Sequence, residues 1–519
     1  MKKLLLIKTM ALSAAIAATF GLASCNQAGG DPDNTSSQVT SGTEMTQSNA
    51  SGGQQGTEPS ATTEDPNIKM DYKAAKMITA ATTEKNKKYS SANGDESALI
   101  VNGKKTVNLN APTIEKNGDS ASIDHSKLFG VNSGFLAIGS PKVLITGGTV
   151  TTKGKGAAGI FSYGGYGEVN GLSGDGTTVT VSDATVNTSG EDSAAIMASG
   201  AGKLTATNVT ATTEGNNSPA VGSDRGGGTI NITGGSYITK GIGSPAIHSA
   251  AKVTAKGTSF ETNQSEGIVI DGNNSVKLTA SNLTANNTKL SSGGSKFLSA
   301  IRLFWSVPGD TNNSSTSFTM QYGKLTSKSG HIFHVTNTSA VISLSNVQVF
   351  NEDTAKNVVL LSVCPDTWTG NVNVAVFNAA NTALTGDILV AKKGKLTINF
   401  SSGTTWTGAI KGDITTPDGE KISSEQGIVY VNMSADSKWT LTEDTYITSF
   451  SGNMENVILN GHKLYISGEV TTPTAAPTPQ TVIKKPTKKP TKKPTKKPTK
   501  KPTKKPTPKV TATQANQNP

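Results

Sequence analysis

Six segments between positions 143 and 287 are rewrites of one another: VLITGGTVTTKG, VTVSDATVNTSG, LTATNVTATTEG, INITGGSYITKG, VTAKGTSFETNQ and VKLTASNLTANN. They begin at Val143, Val179, Leu204, Ile230, Val253 and Val276, so successive starts lie 36, 25, 26, 23 and 23 residues apart. The longest interval holds a Gly-rich insertion over 163–176. A period in the twenties defines one supersecondary unit per repeat, stacked on its neighbours because a single unit cannot bury its own apolar face.

The spacing inside each unit selects the kind of solenoid. Val253, Ala255 and Gly257 alternate with Thr254, Lys256 and Thr258, which is the strand period of two. A Gly/Asn/Ser turn follows after about ten residues, where residues tolerant of tight turns are needed. A short apolar pair comes next: Ala195-Ile196, Ala220-Val221, Ala246-Ile247 and Ile268-Val269. Each unit is therefore two or three short strands joined by corners, with no helix, and the chain reads as an all-β parallel β-helix. A leucine-rich repeat needs a Leu/Asn ladder, and a propeller blade needs about 40 residues.

Composition agrees with a stack of small side chains. Aromatic residues make up 5% and glycines number 55 in 519 residues, and no internal apolar run of 18 residues suggests a membrane span. The net charge of +11 is unevenly distributed. Thirteen lysines and no acid lie between 484 and 519, three lysines lie in the leader, and residues 25–483 carry 32 bases against 37 acids. The body is mildly acidic and the tail strongly basic. Of the two cysteines, Cys25 lies in the leader and Cys364 follows an apolar run. No disulfide framework is expected, and Cys364 reads as a small buried hydrophobe.

Met1-Lys2-Lys3 and the apolar stretch to Ala23 read as a signal peptide over 1–24. It closes on Leu22-Ala23-Ser24-Cys25, which resembles the bacterial lipobox and implies a diacylated Cys25. Two acyl chains anchor stably where one is marginal. A Ser/Thr/Gly-rich tether is expected over 25–66, spanning about 35 Å. Residues 67–96 read as an N-terminal cap, irregular or a short helix, and 97–470 as the β-helix. About 24 residues per coil gives roughly 15 coils and a rod of about 70 Å. A separate β-sandwich over 316–470 is the alternative. Residues 471–519 read as a disordered Lys/Pro tail whose KKPT repeat favours an extended polycationic arm. Its expected targets are polyanions (wall teichoic or acidic polysaccharides, anionic lipid or extracellular nucleic acid), with a solvated stalk as the alternative. It lacks aromatic residues for base stacking, which argues against nucleic acid.

The runs Asp95-Glu96-Ser97-Ala98-Leu99-Ile100-Val101, Ser223-Asp224-Arg225-Gly226-Gly227-Gly228, Gly243-Ser244-Pro245-Ala246-Ile247 and Ser265-Glu266-Gly267-Ile268-Val269-Ile270 resemble a group of clostridial cell-surface proteins. These are adhesin-like or carbohydrate-binding right-handed parallel β-helices of the pectin lyase-like superfold. The resemblance covers about residues 90–470 and implies fold more than activity. Related calcium-assisted β-helix lipoproteins carry dense Asp-Gly turns, and these are missing here.

The chain carries candidate site residues but no catalytic constellation. The Asn-Thr-Asp, Asp-Asp, Gly-His-Gly and Arg-Ile-Lys motifs of polygalacturonases are absent, and only Arg225 and Arg302 could supply an arginine base. Arg225 beside Asp224 reads as a corner ion pair or a clamp on a uronate or phosphate. Asp271, in Ile270-Asp271-Gly272-Asn273, reads first as a turn residue and second as a calcium or sugar ligand. Tyr163 and Tyr166, at the Gly-rich insertion, are candidates for stacking on sugars, with packing across a neighbouring coil as the alternative. His331 and His334, three apart on a strand, are expected on opposite faces, so no shared metal is expected. His248 is expected at the surface. Trp406 and Trp439 occupy equivalent repeat positions and are expected to stack in the core. No cofactor is expected, with calcium left open.

The functional expectation is a non-catalytic, lipid-anchored, monomeric cell-surface protein that binds polysaccharide or mediates adhesion. Two rivals stand beside it. One is a lyase or hydrolase acting on an acidic glycan, which requires Asp175, Asp192, Asp224 and Arg225 to converge. The other is a structural envelope protein whose tail does the binding.

Overall fold

The computed structural model describes residues 70–165, 174–224, 226–291, 294–306, 315–353, 358–367, 372–467 and 469–471. Cys25, the tether, the Lys/Pro tail, Tyr166, Arg225 and Trp368 lie outside the described residues.

The six repeat starts form one inward ladder. Val143 pairs with Val179, Val179 with Leu204, Leu204 with Ile230, Ile230 with Val253, and Val253 with Val276, all in parallel register. Identical register is what a period of two demands, because a slip of one residue would turn every apolar side chain outward. The ladder continues through Phe318, Ile342, Phe377, Ile398 and Val431. The β-helix is therefore continuous past 316, and the separate sandwich is not formed. Wider coils hid this continuity, because insertions at the corners change the sequence period without changing the register.

Each regular coil gives one strand to a 13-stranded sheet and two to a 22-stranded sheet. The ladder of the larger sheet has fourteen rungs, from Thr82–Lys85 to Ser449–Ser451, and Thr445–Ile447 and Leu464–Ile466 pair in parallel beyond the 13-stranded sheet. At about 4.8 Å per rung the stack is about 65 Å long, close to the length expected from an even period. The two strands of the larger sheet are separated by a residue at positive φ: Asp183 (53°), Asn208 (51°), Gly234 (64°) and Gly257 (63°) in successive repeats. Asn, Asp and Gly enter this region most readily, which explains the turn residue in each repeat. Thr188, Thr213 and Thr262 then close the next corner by donating to the carbonyls of Ser193 (2.7 Å), Ser218 (2.6 Å) and Ser265 (2.8 Å). Ser193 and Ser218 in turn accept from the backbone of the preceding coil at 2.9 Å.

The coil stack begins earlier than the sequence boundary. Strands Lys73–Ile78, Thr82–Lys85 and Lys88–Ser91 pair in parallel with Glu96–Asn102, Thr106–Asn110 and Thr113–Lys116. The segment read as a cap over 67–96 is thus itself a coil. Its polar, largely exposed strands disguise it, because they face the open end of the stack. At the other end Leu464–Ile466 pairs antiparallel with Glu469–Thr471.

Among the described residues one α-helix interrupts the all-strand expectation. α1 (Ile123–Phe129) is opened by Ser122, whose side chain accepts from the His125 amide, and closed by Gly130 at φ 76°. It packs Leu128 and Phe129 on the outer face of the 13-stranded sheet, against Ile100, Leu136, Phe161 and Met197. This second core lies outside the coil interior.

Candidate functional site: a cleft on the outer face of the 13-stranded sheet

The outward ladder of this sheet changes chemistry along the stack. Under α1 it is apolar: Ile100, Leu136, Phe161 and Met197 are rung neighbours. It continues as Gly222, His248, Val269 and Arg302, and then as His334 and Ser362. The middle stretch is the floor of a cleft of about 640 Å³. α1 supplies Asp124 and Lys127 to one wall, and Ser291 and Gly294 line it from the loop before Ser299–Phe304. Gly222 has no side chain where its neighbours carry Met197 and His248, so the floor dips there.

Two ion pairs are built into the lining. Lys127 Nζ lies 2.7 Å from Asp192 Oδ1, and Arg302 Nη2 lies 3.4 Å from Glu266 Oε1. Glu266 and Arg302 are each less than a tenth exposed, and the Arg302 guanidinium stands 4.7 Å over the Phe304 ring. Between these pairs lie Asp224, His248 and Asp271. Burial lowers the His248 pKa, partly opposed by the charges of Asp224 and Asp271. Burial likewise raises the Asp271 pKa, and the hydrogen bonds from Ser306 act the other way. His248 is thereby held toward its neutral form, and Asp271 keeps its proton to higher pH than a free carboxyl.

The cleft unites several of the sequence candidates and leaves others out. Asp224 and Asp271 both line it, together with Asp192. Asp271 accepts from the Ser306 amide (2.9 Å) and hydroxyl (2.7 Å), so both its oxygens serve a turn. Among the described residues, no group of three or more His, Cys, Asp or Glu is placed to hold a metal ion. Asp175 lies elsewhere, accepting from Ser140 and Thr177 at a corner. Tyr163 is 9% exposed and stands edge-on to Phe129 at 5.8 Å. Its ring is packed under α1 and offers no face to a ligand; the helix that covers it had no counterpart in the repeat. His248, expected at the surface, is half-buried in the cleft floor.

Lys127 and Glu266 were not among the sequence candidates, and Arg302 was one only as a possible arginine base. For Arg302 a signal existed: in three repeats the residue after the apolar pair (Met197, Gly222, His248) is the outward rung, and Arg302 after Ala300-Ile301 continues that series. Lys127 carried no such signal, because its place depends on where α1 docks.

A second polar cluster adjoins the cleft and is sealed. His331 Nδ1 and His334 Nδ1 each lie 2.8 Å from Ser362 Oγ, and His334 Nε2 lies 2.8 Å from Asp366 Oδ2. The two histidines do not point to opposite faces as their spacing suggested; His331 opens its strand and its ring swings round the corner to the same serine. Burial pushes the His331 pKa down to about 3. Asp366 is also buried, but hydrogen bonding to His334 and Ser295 outweighs desolvation and holds its carboxyl below the usual range. Ser362 and His334 are fully buried, with Phe297 packed over both imidazoles at 5.2 and 5.1 Å. The connectivity mimics a nucleophile–base–acid relay, but Ser362 is fully buried. Its role is to fasten the loop: Asp366 also accepts from the Lys296 amide at 2.7 Å, and Thr367 donates to the Gly294 carbonyl at 2.6 Å. Cys364 beside it is buried, with its thiol pKa pushed up by desolvation.

Fold and site together define a parallel β-helix with a lateral, charge-lined cleft. No family model matches the chain, and neither a curated protein nor a solved structure matches it.

Proposed function

We propose that this chain is a cell-surface β-helix that binds polysaccharide, without catalysis, in the cleft on the outer face of its 13-stranded sheet. The observation that carries the reading is the cleft itself: about 640 Å³ of concave surface, within the range of ligand sites, floored by ladder residues and lined by fixed charges. Pro219, Pro245, Val269 and Phe304 give apolar patches for sugar-ring faces, and the carboxylates accept from sugar hydroxyls. A diacylated Cys25 tethers the body to the membrane, and the KKPT tail engages anionic wall polymers. The protein acts as a monomer.

A second reading, cleavage of the bound glycan, is favoured by one observation. Asp271 is biased toward its protonated form in the same cleft as Asp224, a pairing that acid–base glycoside hydrolysis uses. Both readings are tested by incubating the full chain with insoluble cellulose, pectate, chitin and peptidoglycan, then assaying the supernatant for released sugars. Retention that Gly222→Leu abolishes, with no released sugar, supports binding. Released sugar replaces it with catalysis. Retention that survives Gly222→Leu but not deletion of 484–519 moves the function to the tail.

A further inference from the structure

We propose that the wall of the solenoid carries a second glycan site, sharing no lining residue with the cleft, which recognises the acetamido group of a neutral N-acetylated amino sugar. It lies at a step in the column formed by the second strand of each coil. From Thr113–Lys116 to Gln348–Asn351 these strands are paired rung by rung. Ala383–Thr385 pairs with Thr405–Thr407 after it but not with Gln348–Asn351 before it, and a separate 4-stranded sheet begins there. The bend leading into the step is still closed. The Asn346 amide donates to the Ala380 carbonyl at 3.0 Å, and Asn381 Nδ2 donates to Asn346 Oδ1 at 2.6 Å. Beyond that bend a groove of about 570 Å³ opens between the two strands, within the range of ligand sites.

Backbone and lining together define the ligand. The Glu352 amide is spent on the Ser327 carbonyl, and the Gly386 amide on the Thr407 carbonyl. Alternation along a parallel strand then turns the peptide groups of Val349, on one side, and of Ala383, on the other, toward the step. In an unbroken ladder they would serve the neighbouring rung; here they face the groove, and backbone groups withdrawn from water need partners. Val349 continues the inward rung of Leu325, yet it is only partly buried where Leu325 is fully buried, so the groove has an apolar floor. The Phe350 ring, 43% exposed, gives it an apolar side, steadied by Lys324 Nζ 4.6 Å over the ring. Asn346, Gln348, Asn381, Thr382 and Thr405 form a rim of amides and hydroxyls, and none of the described lining residues is charged. A charged sugar would lose solvation there without gaining a counter-charge. An acetamido group is itself a secondary amide. Its N–H and carbonyl suit the unpaired strand edges, its methyl suits the floor at Val349, and the sugar ring has Phe350 to lie against.

The test is calorimetric titration of the full chain with soluble oligomers of N-acetylglucosamine and of glucose, both neutral, so that the Lys-rich tail attracts neither. The acetylated oligomer is expected to bind at least about tenfold more tightly, because a site built to pair an amide rejects the analogue that lacks it. Ala383 is exposed, so Ala383→Arg fills the groove from outside without entering the core. It is expected to weaken that binding at least about tenfold, and Phe350→Ala at least about threefold. Thermal unfolding of both variants checks that the coils are intact. Gly222→Leu, in the cleft, is expected to leave the affinity unchanged. Equal affinity for the two oligomers overturns the inference, as does acetylated-oligomer binding that Ala383→Arg leaves untouched. Binding that Gly222→Leu removes and Ala383→Arg does not overturns it by moving the ligand to the cleft, and leaves the glycan-binding reading standing. If the acetylated oligomer does not bind, the inference fails, while the cleft is decided separately by the insoluble glycans and Gly222→Leu.

Discussion

His334 Nε2 and Asp366 Oδ2 face each other at 2.8 Å with neither side chain exposed, and the same carboxylate holds the loop bordering the cleft through Ser295 and Lys296, 71 and 70 residues earlier in the chain. Asp366 gathers donors from Ser295, Lys296 and Thr367 as well. Removing one partner of a buried, hydrogen-bonded pair leaves the other unsatisfied, which costs about 3–5 kcal/mol. Asp366→Ala is expected to destabilise by about 3 kcal/mol, to open 294–297 to limited proteolysis, and to weaken glycan retention although Asp366 does not line the cleft. Unchanged melting and retention would show that the loop is held by other means.

The same region predicts how stability responds to acid. The His331 pKa is pushed down to about 3 and that of His248 is lowered, while an unfolded histidine protonates near 6.5. Below about pH 6.5 the unfolded chain binds protons that the folded chain refuses, so stability falls, by at most about 1.4 kcal/mol per pH unit for each histidine. Asp366 has a depressed folded pKa, so its contribution is present above the unfolded carboxyl value near 4 and is lost only below it. Thermal melts between pH 7 and 4.5 should therefore show a decline that His331→Gln makes shallower. A flat profile over that window would contradict the buried neutral histidines.

Legibility in the sequence follows physical locality. The strand period and the rung positions of Val143 to Val276 are set by neighbours in sequence, and they were readable. Asp224 and Asp271 were readable as corner residues because a corner advertises itself by Gly and Asn. What brings them into one cleft with Lys127 and Arg302 is the stacking of coils and the docking of α1, and neither leaves a local pattern. The Ser295–Asp366 contact spans 71 residues and joins two loops without repeat character.

Trp406 and Trp439 are adjacent rungs, stacked at 4.8 Å with an interplanar angle of 16°. Each indole donates to a glycine carbonyl, Gly386 at 2.9 Å and Gly408 at 3.0 Å. Trp406→Ala removes a fully buried ring and is expected to cost about 3–5 kcal/mol. In a solenoid each coil contacts only its neighbours, so the loss should concentrate in the C-terminal coils. Hydrogen exchange should speed up over 383–466 while 143–287 stays protected. Uniform loss of protection would mean that the rod unfolds as one unit.

The bend between the paired strands offers the opposite kind of test, a gain. Ala111 and Ala280 hold φ of 48° and 47° at the position that Gly, Asn or Asp fills in the neighbouring repeats. A left-handed residue with a Cβ costs about 1–2 kcal/mol, partly offset by the greater freedom glycine has in the unfolded chain. Ala280→Gly should therefore stabilise the protein by up to about 1 kcal/mol, and Asn208→Val, which puts a β-branched residue at φ 51°, should destabilise it by at least as much. The pair is read by chemical denaturation of the full chain. Opposite signs for the two substitutions would establish that the bend residue is chosen by backbone conformation. Destabilisation by Ala280→Gly would mean instead that the alanine methyl contributes more through packing than the left-handed backbone costs.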